Sequence, residues 1–372
     1  MLGVYVHLPF CPYLCPYCDF AKWPLRATSA ARYLDALRAE ITSEPYAPAA
    51  TIYLGGGTPN AYERRDVADL MRQLCERFPG ATEISIEINP ELVRDGDFDA
   101  YRAAGITRVS IGVQSFEAAE IATLGRKHTV EQVGGVVAAA RAAKMDSISL
   151  DLIFAVPGQT ASSWDRTLRQ ALDLDVDHVS AYGLTVEEGT PFAAWRAREP
   201  AAFFDDAREA ELYGMAIDRL CDAGYEQYEV SNFARPGHRC SHNLNYWANG
   251  EYIGLGVGAA SYRSGVRSVH TRSLDAYVEA AARGLLIPAE AERLEGRRRV
   301  GEAMMLALRT MQGVRLLDFK ERYGIDVIEE YAPVVARLAQ TGLIERDDDA
   351  VRLTRRGIFL ANDVCGAFIT FE

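Results

Sequence analysis

Up to Tyr225 the chain alternates short apolar runs with longer stretches of helical period. Residues 3–7, 51–54, 83–88, 108–113, 147–154 and 178–184 are runs of strand length, rich in Val, Ile, Leu and Tyr. Between them, apolar positions recur three and four residues apart. Over 29–41, Tyr33, Leu34, Leu37 and Ile41 fall on one helix face. Helices are also predicted over about 65–78, 97–104, 163–174 and 203–223, and Thr129 with Gln132 reads as a capping box opening a helix to 143. Six strand–helix repeats imply a parallel sheet. The glycine triplet 55–57, Glu87, Gln114, Pro157-Gly158 and Thr185 all lie at or just beyond strand C-termini. A doubly wound sheet would gather such residues at one switch point. Here every strand contributes one, as in a βα barrel. The fold expected is α/β, a partial or full barrel.

Beyond Tyr225 the pattern changes. Residues 225–233 alternate like a strand, and a stretch rich in His, Asn and aromatics follows, with His238, Cys240 and His242-Asn243-Leu244-Asn245-Tyr246-Trp247. The expected division is a barrel over 1–235, an extension and connection over 236–293, and a small domain over 294–372. In the last, helices near 297–311, 316–323 and 327–341 precede a hairpin, 342–345 with 351–354, and a final helix from about 356. That order predicts a winged-helix-like α+β domain. Its basic and acidic residues balance, so it lacks the footprint of a nucleic-acid binder. A structural or partner-docking role is expected.

Composition narrows the setting. The net charge of −12 disfavours non-specific binding to nucleic acid or anionic membrane. No apolar run is long enough to span a bilayer, and no signal-peptide pattern opens the chain. Cys75, Cys221, Cys240 and Cys365 are scattered, which suits a reducing cytoplasm.

The densest chemistry is in His7-Leu8-Pro9-Phe10-Cys11-Pro12-Tyr13-Leu14-Cys15-Pro16-Tyr17-Cys18. Three cysteines spaced C-x3-C-x2-C make a soft-ligand loop. Iron–sulfur clusters normally take four thiolates, so three would leave one iron open to a small molecule. A Cys3His zinc site using His7 and a set of inert thiols are the alternatives. Glu87 and Asp151 are acids inside apolar strands and must find partners there: a bound cation or amino group, or alternatively an internal ion pair with Arg126, would suit Glu87, ribose hydroxyls Asp151. Gln114 and Arg126 are polar in similar positions. The Gly55–Pro59 loop lets backbone approach a ligand but lacks the lysine of a phosphate-binding P-loop.

Taken together these motifs resemble the radical S-adenosylmethionine (SAM) superfamily, in its oxygen-independent coproporphyrinogen III oxidase-like branch. The resemblance rests on YVHLPFCPYLCPYCDF at 5–20, GGGTP at 55–59, EINP at 87–90, GVQSF at 112–116, LGRKH at 124–128 and DLIFAVPGQT at 151–160. It implies a partial (β/α)6 barrel, a [4Fe-4S] cluster on Cys11, Cys15 and Cys18, and SAM on the fourth iron. It further implies that Tyr5, Gly56 and Glu87 contact SAM, that Tyr17, Gly57, Thr58, Gln114, Arg126 and Asp151 match a second SAM site of the oxidase, and that His7 lies beside the cluster.

Two features part the chain from the oxidase. Asp19 and Phe20 follow Cys18, where the oxidase has a further cysteine two positions on, and the long N-terminal extension of the oxidase has no counterpart before Cys11. Residues 242–247 instead match the HNxxYW motif of the branch's haem chaperones. Imidazole is a common axial haem ligand, which makes His242 the haem-ligand candidate, with Cys240 and His238 weaker ones. The alternative for His242 is packing inside the fold. The expectation is a cytoplasmic haem chaperone that binds a [4Fe-4S] cluster, SAM and haem and hands haem to an acceptor protein. A homodimer is a candidate assembly, and neither nucleic acid nor a membrane span is expected. The rival readings are a radical enzyme acting on a porphyrinogen or another small molecule, and a DNA-binding regulator.

Overall fold

The computed structural model describes residues 1–285 and 288–369. Residues 286–287 of the expected connection and 370–372 of the expected C-terminal domain lie outside the described residues. Seven strands run parallel side by side: Glu251–Leu255, Leu2–Leu8, Thr51–Gly56, Glu83–Ile88, Arg108–Gln114, Ser147–Phe154 and His178–Gly183. The sheet does not close. Antiparallel strands extend it at both ends, so it is a partial barrel. The strands alternate, and Val4, Val6, Ile52, Leu54, Ile86, Ile111 and Leu150 on one face carry the core.

The helices between strands seal the outer face. Ala27–Ser43 buries Tyr33, Leu34, Leu37 and Ile41, the predicted face. Helix Val130–Ala142 opens on the predicted capping box, where the Thr129 N–H donates to Gln132 Oε1 at 2.8 Å.

The structure corrects the reading after Tyr225. Residues 225–233 are not one strand. Glu226–Gln227 and Asn232–Ala234 are two short strands folded antiparallel on each other. The turn between them is set by buried Glu229, which accepts from the Ser231 N–H and the Asn232 side-chain amide. Within the expected extension and connection over 236–293, Ala260–Arg263, Val266–Val269 and Glu290–Arg293 add three strands to the sheet, and Leu274–Ala282 is a helix. The HNxxYW residues form a helix, Ser241–Trp247. It plugs the end of the barrel where strands begin. Glu83, at the start of its strand, accepts from the Ser241 and His242 N–H groups at 2.9 Å each, a carboxylate on a helix N-terminus. Gly3 leaves room for the His242 ring, since a Cβ there would lie 3.3 Å from His242 Cε1.

The small domain carries helix Gly296–Ala307, further helices and a three-stranded sheet whose hairpin pairs Ile344 with Leu353. Two predicted helices are broken. The one over 327–341 divides into Val327–Glu330 and Ala332–Gln340 at Tyr331, because Pro333 cannot donate to a preceding turn. The last divides into Arg355–Phe359 and Ala361–Gly366 at Leu360. Arg322 ties this domain to the plug helix by donating to the carbonyls of Ala248 (2.6 Å) and Asn249 (2.5 Å).

Candidate functional site

The cysteine loop leaves the first strand at the barrel end where strands terminate. Phe10–Cys11 pairs with Trp23–Pro24, which closes the loop into a ring of chain. The Leu25 N–H donates to Cys11 O at 2.8 Å, Lys22 Nζ donates to Cys18 O, and His7 Nε2 meets Ala21 O at 2.7 Å. Cys11 is buried, while Cys15 and Cys18 are partly exposed. All three line a cavity of about 420 Å³ in the barrel mouth. Burial pushes the Cys11 and Cys15 thiols up, and the Arg126 guanidinium beside Cys15 pulls the other way.

Tyr17, Gly56, Gly57, Thr58, Glu87, Gln114, Arg126 and Asp151 line the same cavity. Glu87 accepts from Tyr53 Oη at 2.9 Å and from the Gly56 N–H at 3.1 Å. Burial, followed by the neighbouring Asp151, pushes its carboxyl up to about 7. Burial also raises Asp151, which accepts from Ser110 Oγ at 2.9 Å. Arg126 donates to Asn89 Oδ1 and Gly112 O at 2.7 Å each, and its Nε is buried without a partner among the described residues. Gln114 sits at φ 66° beside a register shift, a strained position that turns its side chain into the mouth. Two half-buried acids with one unpaired guanidine N–H make a polar ring suited to a ligand bearing both a cationic amine and hydroxyls or a carboxylate.

Gly56 and Gly57 are required by the protein itself. At Gly56, φ is +102° and a Cβ would lie 2.2 Å from His7 Nδ1. At Gly57 a Cβ would lie 2.5 Å from Leu8 O.

Tyr5 stands apart from the other SAM candidates. Its Oη pairs with His7 Nδ1 at 3.0 Å, and it lines a different cavity. With Ala21 O on Nε2, both His7 nitrogens are engaged, and His7 is absent from the cysteine-lined cavity. The Cys3His zinc alternative thereby loses its fourth ligand. Among the described residues, no group of three or more His, Cys, Asp or Glu side chains is arranged to hold one metal ion. That counts against zinc, which needs converging ligands, more than against a cluster whose irons each take one thiolate.

His242 is 1 % exposed. Its Nδ1 lies 2.8 Å from Thr51 Oγ1 and its Nε2 2.9 Å from Tyr246 Oη, and its ring stacks on Tyr53 at 5.1 Å. Burial holds it neutral, down at about 3. Neither nitrogen is free for iron, so the haem-ligand expectation is not met by this conformation, and the geometry is that of packing. Cys240 opens on the barrel cavity and donates to Glu83 at 3.6 Å, whereas His238 faces Asp177 outside it.

Several cavity residues went unread in the sequence: Tyr53, Asn89, Arg108, Ser110, His178, Ser180 and Tyr182. The signal was present in the period of two. Arg108, Ser110, Gly112 and Gln114 share one face of a strand, as do His178, Ser180 and Tyr182.

An open βα barrel with three cysteines and a polar ring in its mouth is the architecture of a radical SAM domain. A model of the Radical SAM superfamily matches residues 5–171, and one of the HemN C-terminal domain matches 294–360. The chain is 33 % identical to Heme chaperone HemW of Bacillus subtilis over 99 % of both chains. It is 38 % identical to Heme chaperone HemW of Mycobacterium tuberculosis over 97 % of this chain and 93 % of that one. The solved structure of coproporphyrinogen III oxidase (HemN) from Escherichia coli, described as a radical SAM enzyme, superposes with a TM-score of 0.88 at 25 % identity, over 100 % of this chain and 90 % of that one. The chain belongs to the HemW family of the radical SAM superfamily.

Proposed function

We propose that this protein is a cytoplasmic haem chaperone that carries a [4Fe-4S] cluster on Cys11, Cys15 and Cys18, binds SAM in the barrel mouth and passes haem to an acceptor protein. The observation that carries the cofactor part is the sharing of one cavity by the three cysteines and the ring of Glu87, Gln114, Arg126 and Asp151. A cluster bound there supplies an iron open to SAM. The chain's own residues then do ordinary work. Ionised Glu87 meets the SAM amino group, Asp151 accepts from ribose hydroxyls, and Arg126 holds a carboxylate or ring acceptor on its unpaired Nε. The chaperone part is supported by the names of relatives matched over nearly the whole length. No helix among the described residues is long and apolar enough to cross a membrane.

Anaerobic reconstitution with iron and sulfide tests the reading. Wild type is expected to take up about four irons per chain and show visible cluster absorbance, while Cys15→Ala loses that absorbance with far-UV circular dichroism unchanged. A normal cluster in Cys15→Ala refutes the ligand set. Haemin-loaded protein is then mixed with an apo haem protein, and the Soret band of the acceptor is followed. Transfer no faster than from free haemin refutes the chaperone.

A further inference from the structure

A second cavity, of about 560 Å³, lies between the edge of the barrel and helix Gly296–Ala307. That volume falls within the range of about 300–1,000 Å³ typical of ligand sites. Its chemistry differs from that of the barrel mouth. Tyr246 and Tyr252 pack edge to face at 4.7 Å on one wall, and Met305 and Leu306 come from the helix opposite. Phe20 forms the rim, a phenyl ring left 57 % exposed just after the cysteine loop. The cavity's polar lining comprises buried His7, Asn249 and Glu302 together with Asp19, Arg267 and Arg272. Arg267 is paired with Glu302, whereas exposed Arg272 donates to the Asp19 carbonyl at 2.6 Å and is in no ion pair among the described residues.

We infer that this cavity, and not His242 itself, is the haem site. The inference rests on the chaperone reading above and goes further by placing the cargo. Haem is a flat apolar macrocycle with two carboxylates at one edge and an iron that takes axial ligands. Aromatic walls suit the ring, and Arg272 at the mouth suits a propionate, with Arg267 behind it. The Met305 thioether is an established kind of axial haem ligand and lines this cavity. The barrel mouth is a poorer fit, because Glu87 and Asp151 would face the porphyrin with charge or buried hydroxyls. The HNxxYW motif keeps a part in this arrangement. Tyr246 presents its ring to the cavity, and His242 holds that ring in place through its 2.9 Å contact with Tyr246 Oη.

The test is a haemin titration of the full chain, followed by Soret absorbance, with three variants. Phe20→Ser and Arg272→Glu alter exposed side chains, so both are expected to fold normally, and a melting curve checks this. Each is expected to weaken haemin binding about tenfold, through loss of a stacking ring or reversal of a charge at the propionates. Met305→Leu keeps the volume, removes the sulfur and is expected to shift the Soret maximum. If wild type binds one haemin saturably and all three variants bind alike with the wild-type spectrum, the placement is overturned and the chaperone reading stands. If wild type shows no saturable binding, both fall.

Discussion

His242→Leu separates packing from ligation, and the structure sets the size of the effect. The change leaves Thr51 Oγ1, 1 % exposed, without its partner and removes the stack on Tyr53. An orphaned buried hydroxyl costs about 1–3 kcal/mol and a lost ring pair about 0.5–1.5 kcal/mol. Leucine recovers part of this through its apolar surface, and Tyr246 can turn toward its cavity. A net loss of about 2–3 kcal/mol is expected near pH 7.5, roughly 3 °C in melting temperature for a chain of this length. The deficit depends on pH, and its sign can be worked out. Folded His242 stays neutral down to about 3, whereas the unfolded chain takes up the proton below its ordinary value. Wild type keeps the stabilisation above about pH 6.5 and loses it at about 1.4 kcal/mol per pH unit as pH falls below that. The leucine variant has no such loss. Urea denaturation of both proteins at pH 7.5 and 4.5 should therefore show the two curves converging at the lower pH. A deficit that stays constant with pH refutes the buried, neutral assignment. Normal stability with lost haemin binding would return His242 to the role of ligand.

Two further perturbations address the barrel mouth. Gly56→Ala places a methyl 2.2 Å from His7 Nδ1 on backbone at φ +102°, and His7 cannot yield without breaking its contacts to Tyr5 and Ala21. The variant should lose at least about 2 kcal/mol or fail to accumulate as soluble protein, and wild-type melting would contradict this account of the glycine. Glu87→Gln should weaken SAM binding about tenfold or more by calorimetry, as expected for a hydrogen bond to a charged group. Because Glu87 is raised to about 7, SAM binding by wild type should tighten from pH 6 to pH 8 as the carboxylate ionises, and the glutamine variant should lack that slope. An equal slope in both proteins would place the cationic end of SAM elsewhere.

The strand–helix repeat and the barrel were legible because local period and loop chemistry determine them. Each of the six predicted strands appears, and of the residues named at their C-termini Gly56, Gly57, Glu87, Gln114 and Thr185 line one mouth, whereas Gly55 and Pro157-Gly158 do not. The seventh parallel strand, Glu251–Leu255, was not legible, since it pairs with Leu2–Leu8 across most of the chain and no local signal names that neighbour. The plug helix Ser241–Trp247 is two turns long, too short for periodicity, and its start is set by Glu83, far away in sequence. Candidate residues drawn from motifs at strand ends line the one cavity. Tyr5 does not, because a mid-strand residue shows its face only once the neighbouring strands are known, and its hydroxyl goes to His7. The polar interior was underread for a simpler reason. Single acids draw attention, whereas a row such as Arg108, Ser110, Gly112 and Gln114 must be read at period two to appear as one surface.

The two cavities share a wall, and this joins the cofactor to the cargo. Asp19 and Phe20 line both of them. The segment carrying them is held from each side, by Lys22 on Cys18 O, by His7 on Ala21 O and by Arg272 on Asp19 O. A metal group bound to Cys18 would fix the chain two residues before Phe20, and so fix the rim of the second cavity. Ordering that rim in advance removes a cost that haem would otherwise meet on binding, and linkage makes the effect reciprocal. Reconstituted protein is therefore expected to bind haemin several-fold more tightly than Cys11→Ala, a variant that keeps Cys18 and the rim residues but cannot complete the cluster. The same Phe20→Ser change should reduce that difference. Equal haemin affinity with and without the cluster would show that the shared wall does not couple the two sites.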